Sequence, residues 1–320
     1  MREIRNTKVC VIGGAGFLGS HLVDHLIEDR ECEVLVLDCL VNGHRKFVNP
    51  KAKFQWFDIR DSEESLRSLL VEEKIEYLFN YAAEPYIPVS FARPLHVFNI
   101  NAFAVLKVLN AAQEAGVKAI LQVSSAEIYG QMDGKINEDD RVVPHSTYGV
   151  SKVAADGLVQ VRWKEAKTPA IAMRQFNCVG ARETHPYVIP EIIRQIDRLD
   201  EDGTIELGNN SSRDFQYAGD AVRMAVLLLE NGEFGEVYNM GSESTIKIYD
   251  LAVKIGKLMG KNIRIHTDQK RVRPWEIWHL LSDNTKLNKV IGTYHGVHLD
   301  HALQETINYY YENGKRWDFE

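Results

Sequence analysis

The sequence predicts an α/β fold built on a doubly wound parallel sheet, and three observations carry that reading. β-branched, apolar runs alternate with stretches of helical periodicity through the first two thirds of the chain, as a parallel sheet covered on both faces requires. The first run, Val9 to Ile12, breaks at Gly13-Gly14, and Leu18, Leu22, Val23 and Leu26 then recur at helical spacing. A second run, Glu33 to Leu37, closes on Asp38.

The glycine break has the outline of a phosphate site. Gly13, Gly16 and Gly19 stand at three-residue intervals, one for the turn, one for close approach of a pyrophosphate and one for helix-to-strand packing. Asp38 falls where an acid meets an adenosine ribose. Cys39, Leu40 and Val41 follow it with no arginine to neutralise a 2′-phosphate, so NAD is expected rather than NADP, although Arg45 and Lys46 lie close by.

Further along, Lys53 to Phe57 reads as a third strand ending at Asp58-Ile59, where a carboxylate and backbone could hold an adenine. Glu63 to Leu70 follows as a helix, and Tyr77 to Tyr81 as a strand running into Ala82-Ala83, small enough to pass close to a dinucleotide. Pro85, Pro88 and Pro94 punctuate a loop, after which Asn101 to Ala115 is helical and Ile120 to Ser124 is a fifth strand. Ligands of open sheets sit beyond the carboxyl ends of such strands, which places Ser124, Ser125 and Glu127 where chemistry happens. Tyr148 and Lys152, in STYGVSK, lie about 40° apart around a helix axis and so share a face. An ammonium and a positive nicotinamide beside the phenol would bring its pKa down toward working pH.

Composition excludes several classes. The balance is mildly acidic, 38 basic against 45 acidic residues, with no basic block to serve as a nucleic-acid footprint. An anionic ligand must therefore be caught by a few placed arginines. No apolar run reaches membrane-spanning length, and MREIRNTK enters the first strand without a signal-peptide core, so the expectation is a soluble, cytoplasmic protein without a membrane partner. Cys10, Cys32, Cys39 and Cys178 show no metal-ligand spacing and read as buried thiols in a reducing compartment.

Taken together these motifs resemble the extended short-chain dehydrogenase/reductases, in particular the NAD-dependent nucleotide-sugar epimerase/dehydratase family, over nearly the whole chain. GGAGFLG, Asp38, Asp58-Ile59, NYAA at Asn80 to Ala83 and NAFAVLKVLNAA from Asn101 match the family's cofactor half, and SSAEIYG and YGVSK its catalytic strand and helix. RQFNCVG at Arg174 to Gly180, RDFQYAGD at Arg213 to Asp220, VYNMGS at Val237 to Ser242 and RVRPWEI look like its substrate-side motifs. The resemblance implies a Rossmann-type domain over residues 1–176, with a returning segment near 213–240, and a smaller C-terminal α/β domain, mainly 177–320, that binds a nucleotide-diphosphate sugar. It implies that Gly13, Gly16, Phe17, Leu18, Gly19, Asp38, Asp58, Ile59, Ala82, Ala83, Asn101, Ser124, Tyr148 and Lys152 hold NAD. Glu84, Asn177, Arg213 and Arg273, with Arg271 nearby, are the implied substrate contacts, the guanidinium forks matching phosphate oxygens. Apolar faces at Ala102 to Ala112 and Ala154 to Val161 correspond to the family's homodimer interface. The chain departs from the pattern at Asn80, where a histidine is frequent, and at Val179 and Ala181, where Tyr and Pro are usual.

The chemistry so implied starts with oxidation of a sugar carbon, C4: Tyr148 takes the hydroxyl proton, Lys152 steadies the phenolate, and Ser125 donates to the reacting oxygen. The resulting ketone acidifies C5–H and opens three exits, namely elimination of the C6 hydroxyl, loss of a C5 carboxylate, or re-reduction from the other face. Glu127, two residues beyond the serine on the same face of an extended strand, favours a base acting at C5. Dehydratases of deoxythymidine-diphosphate glucose carry Asp-Glu where this chain has Ala126-Glu127, and GDP-mannose dehydratases and UDP-glucuronate decarboxylases carry Ser-Glu. A 4,6-dehydratase-like reaction leads, with decarboxylation and 4-epimerisation as alternatives. A non-catalytic NAD-sensing regulator is the contrasting class, and retention of Ser125, Tyr148 and Lys152 speaks for an enzyme.

Overall fold

The computed structural model describes every residue except 1, 273, 274 and 320. Its larger layer is a seven-stranded parallel sheet in the order β10-β6-β5-β4-β1-β2-β3. The strands are β1 (Lys8–Ile12), β2 (Glu33–Asp38), β3 (Lys53–Trp56), β4 (Tyr77–Asn80), β5 (Ala119–Ser125), β6 (Ala170–Gln175) and, returning late in the chain, β10 (Val237–Met240). Alternation along β1 sets the two cores. Val9 and Val11 face Leu22, Val23 and Leu26 of α1 (Phe17–Glu28) and Leu228 and Leu229 of α8 (Ala218–Asn231). Cys10 and Ile12 face Leu66 and Leu70 of α2 (Glu63–Glu72), Val108 of α5 (Ala104–Glu114) and Val159 of α6 (Thr147–Ala166).

The smaller layer lies beyond β7 (Asn177–Val179). There β9 (Ser212–Tyr217) pairs with β7 and β13 (His279–Leu280) in parallel and with β11 (Thr245–Lys247) antiparallel, while β8 (Gly203–Leu207) and β12 (Ile263–Thr267) form a separate parallel pair. α7 (Val188–Asp197), α9 (Ile248–Leu258) and α11 (Leu299–Glu312) cover it through Ile192, Ile196, Ile255 and Leu303, with Trp317 from the segment after α11 in the same core. Because β9 belongs to this layer, the segment that rejoins the large sheet starts at Ala218 of α8, not at Arg213. α10 (Thr285–Ile291) packs with it against α8 and β10.

The proline-rich stretch differs from expectation. Instead of a loop, Pro88 and Pro94 open two short helices, α3 (Ile87–Ala92) and α4 (Pro94–Phe98), in the first turn, where a missing N–H costs nothing. A π-helical turn, Asn99–Phe103, then leads into α5, so helix begins before Asn101. By length and mean hydropathy, 1.3, the stretch Pro94–Glu114 could cross a membrane, but half of it is buried inside the fold. Val105, Val108, Leu109, Ala111 and Ala112 pack on the chain's own sheet, as does Val159 of α6, so the apolar positions expected at a dimer interface are largely spent internally. Within those stretches Phe103 and Val161 do face outward, beside Phe91, Leu95 and Phe98 and beside Val150 on the adjacent α6.

The turn after β1 is closed by atoms. Gly13 has φ +80°, and a Cβ built on Gly19 would stand 2.1 Å from the Gly13 carbonyl oxygen. A Gly19→Ala substitution must therefore force α1 away from the turn. We expect it to lower unfolding free energy by about 1–3 kcal/mol, the cost of overpacking, measured by denaturant titration.

Candidate active site

Strand order reverses between β1 and β4, and a crevice opens there at their carboxyl ends. Gly13 makes this possible, since a Cβ at that position would lie 2.7 Å from the Ala82 amide nitrogen. The cleft has a volume of about 540 Å³ and reaches from the glycine turn to the loops of the small layer.

The first wall suits a dinucleotide. Gly16 caps α1 with no side chain bonded back onto the helix, so its first N–H groups stay available to an anion. Both oxygens of Asp38 are aimed by backbone, Oδ1 accepting from Leu40 N–H at 2.8 Å and Oδ2 from Ala15 N–H at 3.0 Å. Burial raises its pKa, and those two hydrogen bonds pull against it. The nearby cations are turned elsewhere: the Arg45 guanidinium stacks 4.7 Å over the Phe54 ring, and Lys46 pairs with Asp318. Gly13, Gly16, Phe17, Leu18, Gly19, Asp38, Asp58, Ile59, Ala82, Ala83 and Ser124 all line this part of the cleft.

One expected cofactor contact, Asn101, needs correction, and a second, Asp58, is shared with a protein partner. Asn101 is fully buried and outside the cleft lining; its amide bonds the Glu84 N–H at 2.9 Å and the Glu84 carbonyl at 3.0 Å, so it shapes the loop instead of touching a ligand. Asp58 lines the rim, but its carboxylate is engaged by Arg60, whose Nε donates at 2.9 and 3.0 Å and whose side chain holds its pKa down. Asn80, where a histidine is frequent, is buried and bridges β4 to Gln122 of β5 at 2.7 Å while accepting from Ala82 N–H.

The reacting groups converge at the end of β5. Ser125 Oγ caps a 3-10 turn, Ala126–Ile128, by accepting Glu127 N–H at 3.2 Å. Glu127 is thus aimed by this turn, and the strand periodicity expected to place it ends one residue after Ser124. Ser146 caps the helix that carries Tyr148 and Lys152, accepting Gly149 N–H at 3.0 Å. The Ser125 side chain lies close enough to Tyr148 to act on its phenol. Its pKa is raised above the ordinary tyrosine value, chiefly by burial, with Glu127 and Glu84 adding to the rise and Ser125 opposing it. The lowering expected from Lys152 is therefore not supplied by the protein's own groups. Lys152 Nζ donates to the Val123 carbonyl at 3.1 Å and lies 5.8 Å from the Tyr148 ring centroid, and burial depresses its pKa to about 8.

Behind this pair lies a buried polar network that fixes α6 against the sheet. Arg174 Nε donates to Asp156 Oδ2 at 2.7 Å, one helical turn beyond Lys152, and its Nη1 donates to Tyr129 Oη at 2.7 Å. Tyr129 in turn donates to Asn239 Oδ1 at 2.7 Å. Removing one partner from such a pair would strand the other charge, at roughly 3–5 kcal/mol.

The second wall comes from the small layer. Asn177 reaches the cleft, with Oδ1 buried and lacking a hydrogen-bond partner among the described residues. Arg213 lines the cleft too, but its Nη2 contacts Glu276 Oε1 at 2.5 Å. A cation so deeply buried needs such a counter-charge, and a phosphate would have to share the guanidinium with Glu276. Arg271 pairs with Glu191 at 3.0 Å, and Arg273 lies outside the described residues. Reasoning from sequence missed Tyr86, Glu183, His185 and Tyr187, which line the same cleft as Tyr148. The signal available was the density of ionisable and aromatic residues in RETHPY, between Gly180 and α7.

With the geometry in view, the comparisons with known proteins are decisive for the family. A family model described as GDP-mannose 4,6 dehydratase matches residues 10–306. The chain belongs to that family. It sits among the extended short-chain dehydrogenase/reductases that act as nucleotide-sugar epimerases and dehydratases, a class of enzymes. Mouse dTDP-D-glucose 4,6-dehydratase is 29% identical over 97% of this chain and 90% of its own length. UDP-glucose 4-epimerase of Lactobacillus helveticus is 31% identical over 89% of this chain and 91% of its own. The dTDP-glucose 4,6-dehydratase DesIV of Streptomyces venezuelae, solved with NAD bound, superposes with a TM-score of 0.87 at 26% identity, covering 97% of this chain and 99% of that one.

Burial raises the pKa of Glu183 to about 8, with hydrogen bonds from the Thr184 and His185 backbones pulling it down. Between the unfolded value, about 4.3, and that folded value the native state holds a proton the unfolded chain has released, so this group's contribution to stability falls as pH rises. Glu183→Gln removes that loss. The melting temperature of the variant relative to wild type should rise by roughly 3 °C or more between pH 5 and pH 8, read by differential scanning calorimetry.

Proposed function

We propose that the protein is an NAD-dependent nucleotide-sugar 4,6-dehydratase-like enzyme. The observation that carries the reading is the convergence of Ser125 and Glu127, through one capped turn, on the buried Tyr148. NAD binding is supported by the fit of the first wall, with its open helix N-terminus and its carboxylate aimed by two amides and unopposed by Arg45 or Lys46. The relatives support the class and leave both dehydratase and epimerase chemistry among its members.

Bound NAD supplies a hydride acceptor that later returns the hydride. The protein's groups manage protons around it. Tyr148 accepts the proton of the sugar C4 hydroxyl; Lys152, 5.8 Å from the phenol ring centroid, does not by itself lower the phenol's pKa, and a positive charge brought beside the ring would favour the phenolate. Ser125 donates a hydrogen bond to the same oxygen as it becomes a ketone. Glu127 then removes the acidified C5 proton and delivers a proton to the departing C6 hydroxyl. Ala126 has no proton to give, so one carboxyl serves as base and then as acid.

The assembly proposed is a homodimer. Leu95 is 86% exposed, Phe91 64% and Phe103 57%, on helices adjacent to α6, and so much apolar surface is characteristic of an interface. A Leu95→Asp/Phe103→Asp double variant should halve the mass in solution, by light scattering; an unchanged mass would remove the dimer.

The decisive test is mass spectrometry of products from a panel of nucleotide sugars. Loss of water supports the reading, loss of carbon dioxide would replace it with decarboxylation, and an unchanged mass with an inverted C4 would replace it with epimerisation. Glu127→Gln should still reduce bound NAD on mixing with substrate, yet form product about 10²–10⁴-fold more slowly. Product formation at the wild-type rate would sink the elimination role of Glu127.

A further inference from the structure

The second wall carries a carboxylate and an imidazole that oxidation and elimination leave without a task. Glu84 and His185 come from different loops, and each is almost wholly buried, 6% and 7% exposed, while lining the cleft. Everything around them is fixed. Asn101 holds the Glu84 backbone from both sides, Glu84 Oε1 accepts Tyr86 N–H at 3.2 Å, and Oε2 accepts from Asn42 Nδ2 at 3.2 Å. The His185 ring stands between Tyr86 and Tyr187, with centroids 5.7 and 5.6 Å away, and its Nδ1 is bonded to Thr184 Oγ1 at 3.0 Å. Tyr187 ties the two loops together by donating to the Pro85 carbonyl at 3.1 Å.

His185 Nε2 is left over. It is buried, has no hydrogen-bond partner among the described residues, and lies 4.0 Å from Glu84 Oε1. That gap is too long for a direct hydrogen bond, yet it is the separation of two groups sharing one oxygen at roughly 2.8 Å from each. Unmet buried nitrogens are rare in native structures, and this one belongs to a residue that lines the cleft. Burial lowers the imidazole pKa against the opposing pull of Glu84, so the ring is neutral. In the tautomer whose Nδ1 accepts from the Thr184 hydroxyl, Nε2 carries the hydrogen. The bridging atom must therefore accept from nitrogen and donate to a carboxylate. A hydroxyl does both; a methyl or a keto oxygen does not.

We propose that Glu84 and His185 form a subsite that grips one hydroxyl of the nucleotide sugar close to the oxidised carbon. The assignment rests on the nucleotide-sugar reading above. Both residues line the same cleft as Ser125, Glu127 and Tyr148, and the Glu84 charge adds to the rise in the Tyr148 pKa, which puts the pair toward the reacting end of the cleft. A grip from this second side also opposes turning the keto sugar over. Inversion at C4 requires that turn, because the hydride returns from the same side it left, whereas elimination does not.

The test uses the full-length protein with NAD, a sugar nucleotide that it turns over, and the 2-, 3- and 6-deoxy forms of that sugar nucleotide, following reduction of bound NAD. His185→Ala should lower kcat/KM for the parent sugar by about 10–100-fold while leaving one deoxy form within about threefold of wild type, since that form offers no hydroxyl to lose. His185→Gln, which keeps a side-chain N–H, should recover part of the loss, and it serves if the alanine variant does not fold. Uniform slowing of the parent and all three deoxy forms, or no change in any, would overturn the subsite and leave the gap to an ordered water. If the wild type reduced no NAD with any nucleotide sugar, the functional reading would fall first.

Discussion

The close approach of two strand ends governs the rest of this molecule. At the point where strand order reverses, the turn after β1 lies against the Tyr81-Ala82 backbone, with no room for even a methyl group on Gly13. That contact, and the packing of Gly19 onto the Gly13 carbonyl, lets α1 start with its N–H groups facing the crevice. The open helix N-terminus, the place of Asp38 at the crevice and the position of the alanine pair after β4 all follow from one backbone approach.

Charge burial is the second constraint. Tyr148 and Lys152 are both taken out of water, which disfavours the ionised form of each, raising the phenol and lowering the amine. The site is therefore neutral-leaning by itself and responsive to any charge brought in, so a cationic ring seated beside the phenol would act in a low-dielectric setting where its effect is large. Behind the pair, the Asp156–Arg174–Tyr129–Asn239 chain links buried polar groups across α6, β6 and β10. Such a connected network favours one geometry for the helix over neighbouring ones.

The substrate wall obeys a different logic from the cofactor wall. Its groups come from loops of the small layer and from the segment after β4, and they are held by partners within the protein: Arg213 by Glu276, Glu84 by Asn42 and Asn101, His185 by Thr184. Rigid, already oriented side chains reduce the ordering cost of binding a polar sugar. They also make the wall selective, because a buried donor or acceptor without its ligand partner stays unmet.

Sequence alone determined the parts of this protein that are encoded locally. The glycine spacing, the acid at the end of the second strand, and the tyrosine and lysine one turn apart are each set by the geometry of a single turn, strand or helix, so spacing records them faithfully. The parallel sheet was legible for the same reason, in runs of apolar residues. Tertiary structure decided whatever depends on distant segments meeting. That Asn101 braces a loop, that Arg213 is neutralised by Glu276, that Glu127 is aimed by a capped turn and that His185 faces Glu84 are outcomes of packing. No local periodicity carries them, because two loops that converge in space leave no mark on the spacing of residues within either one.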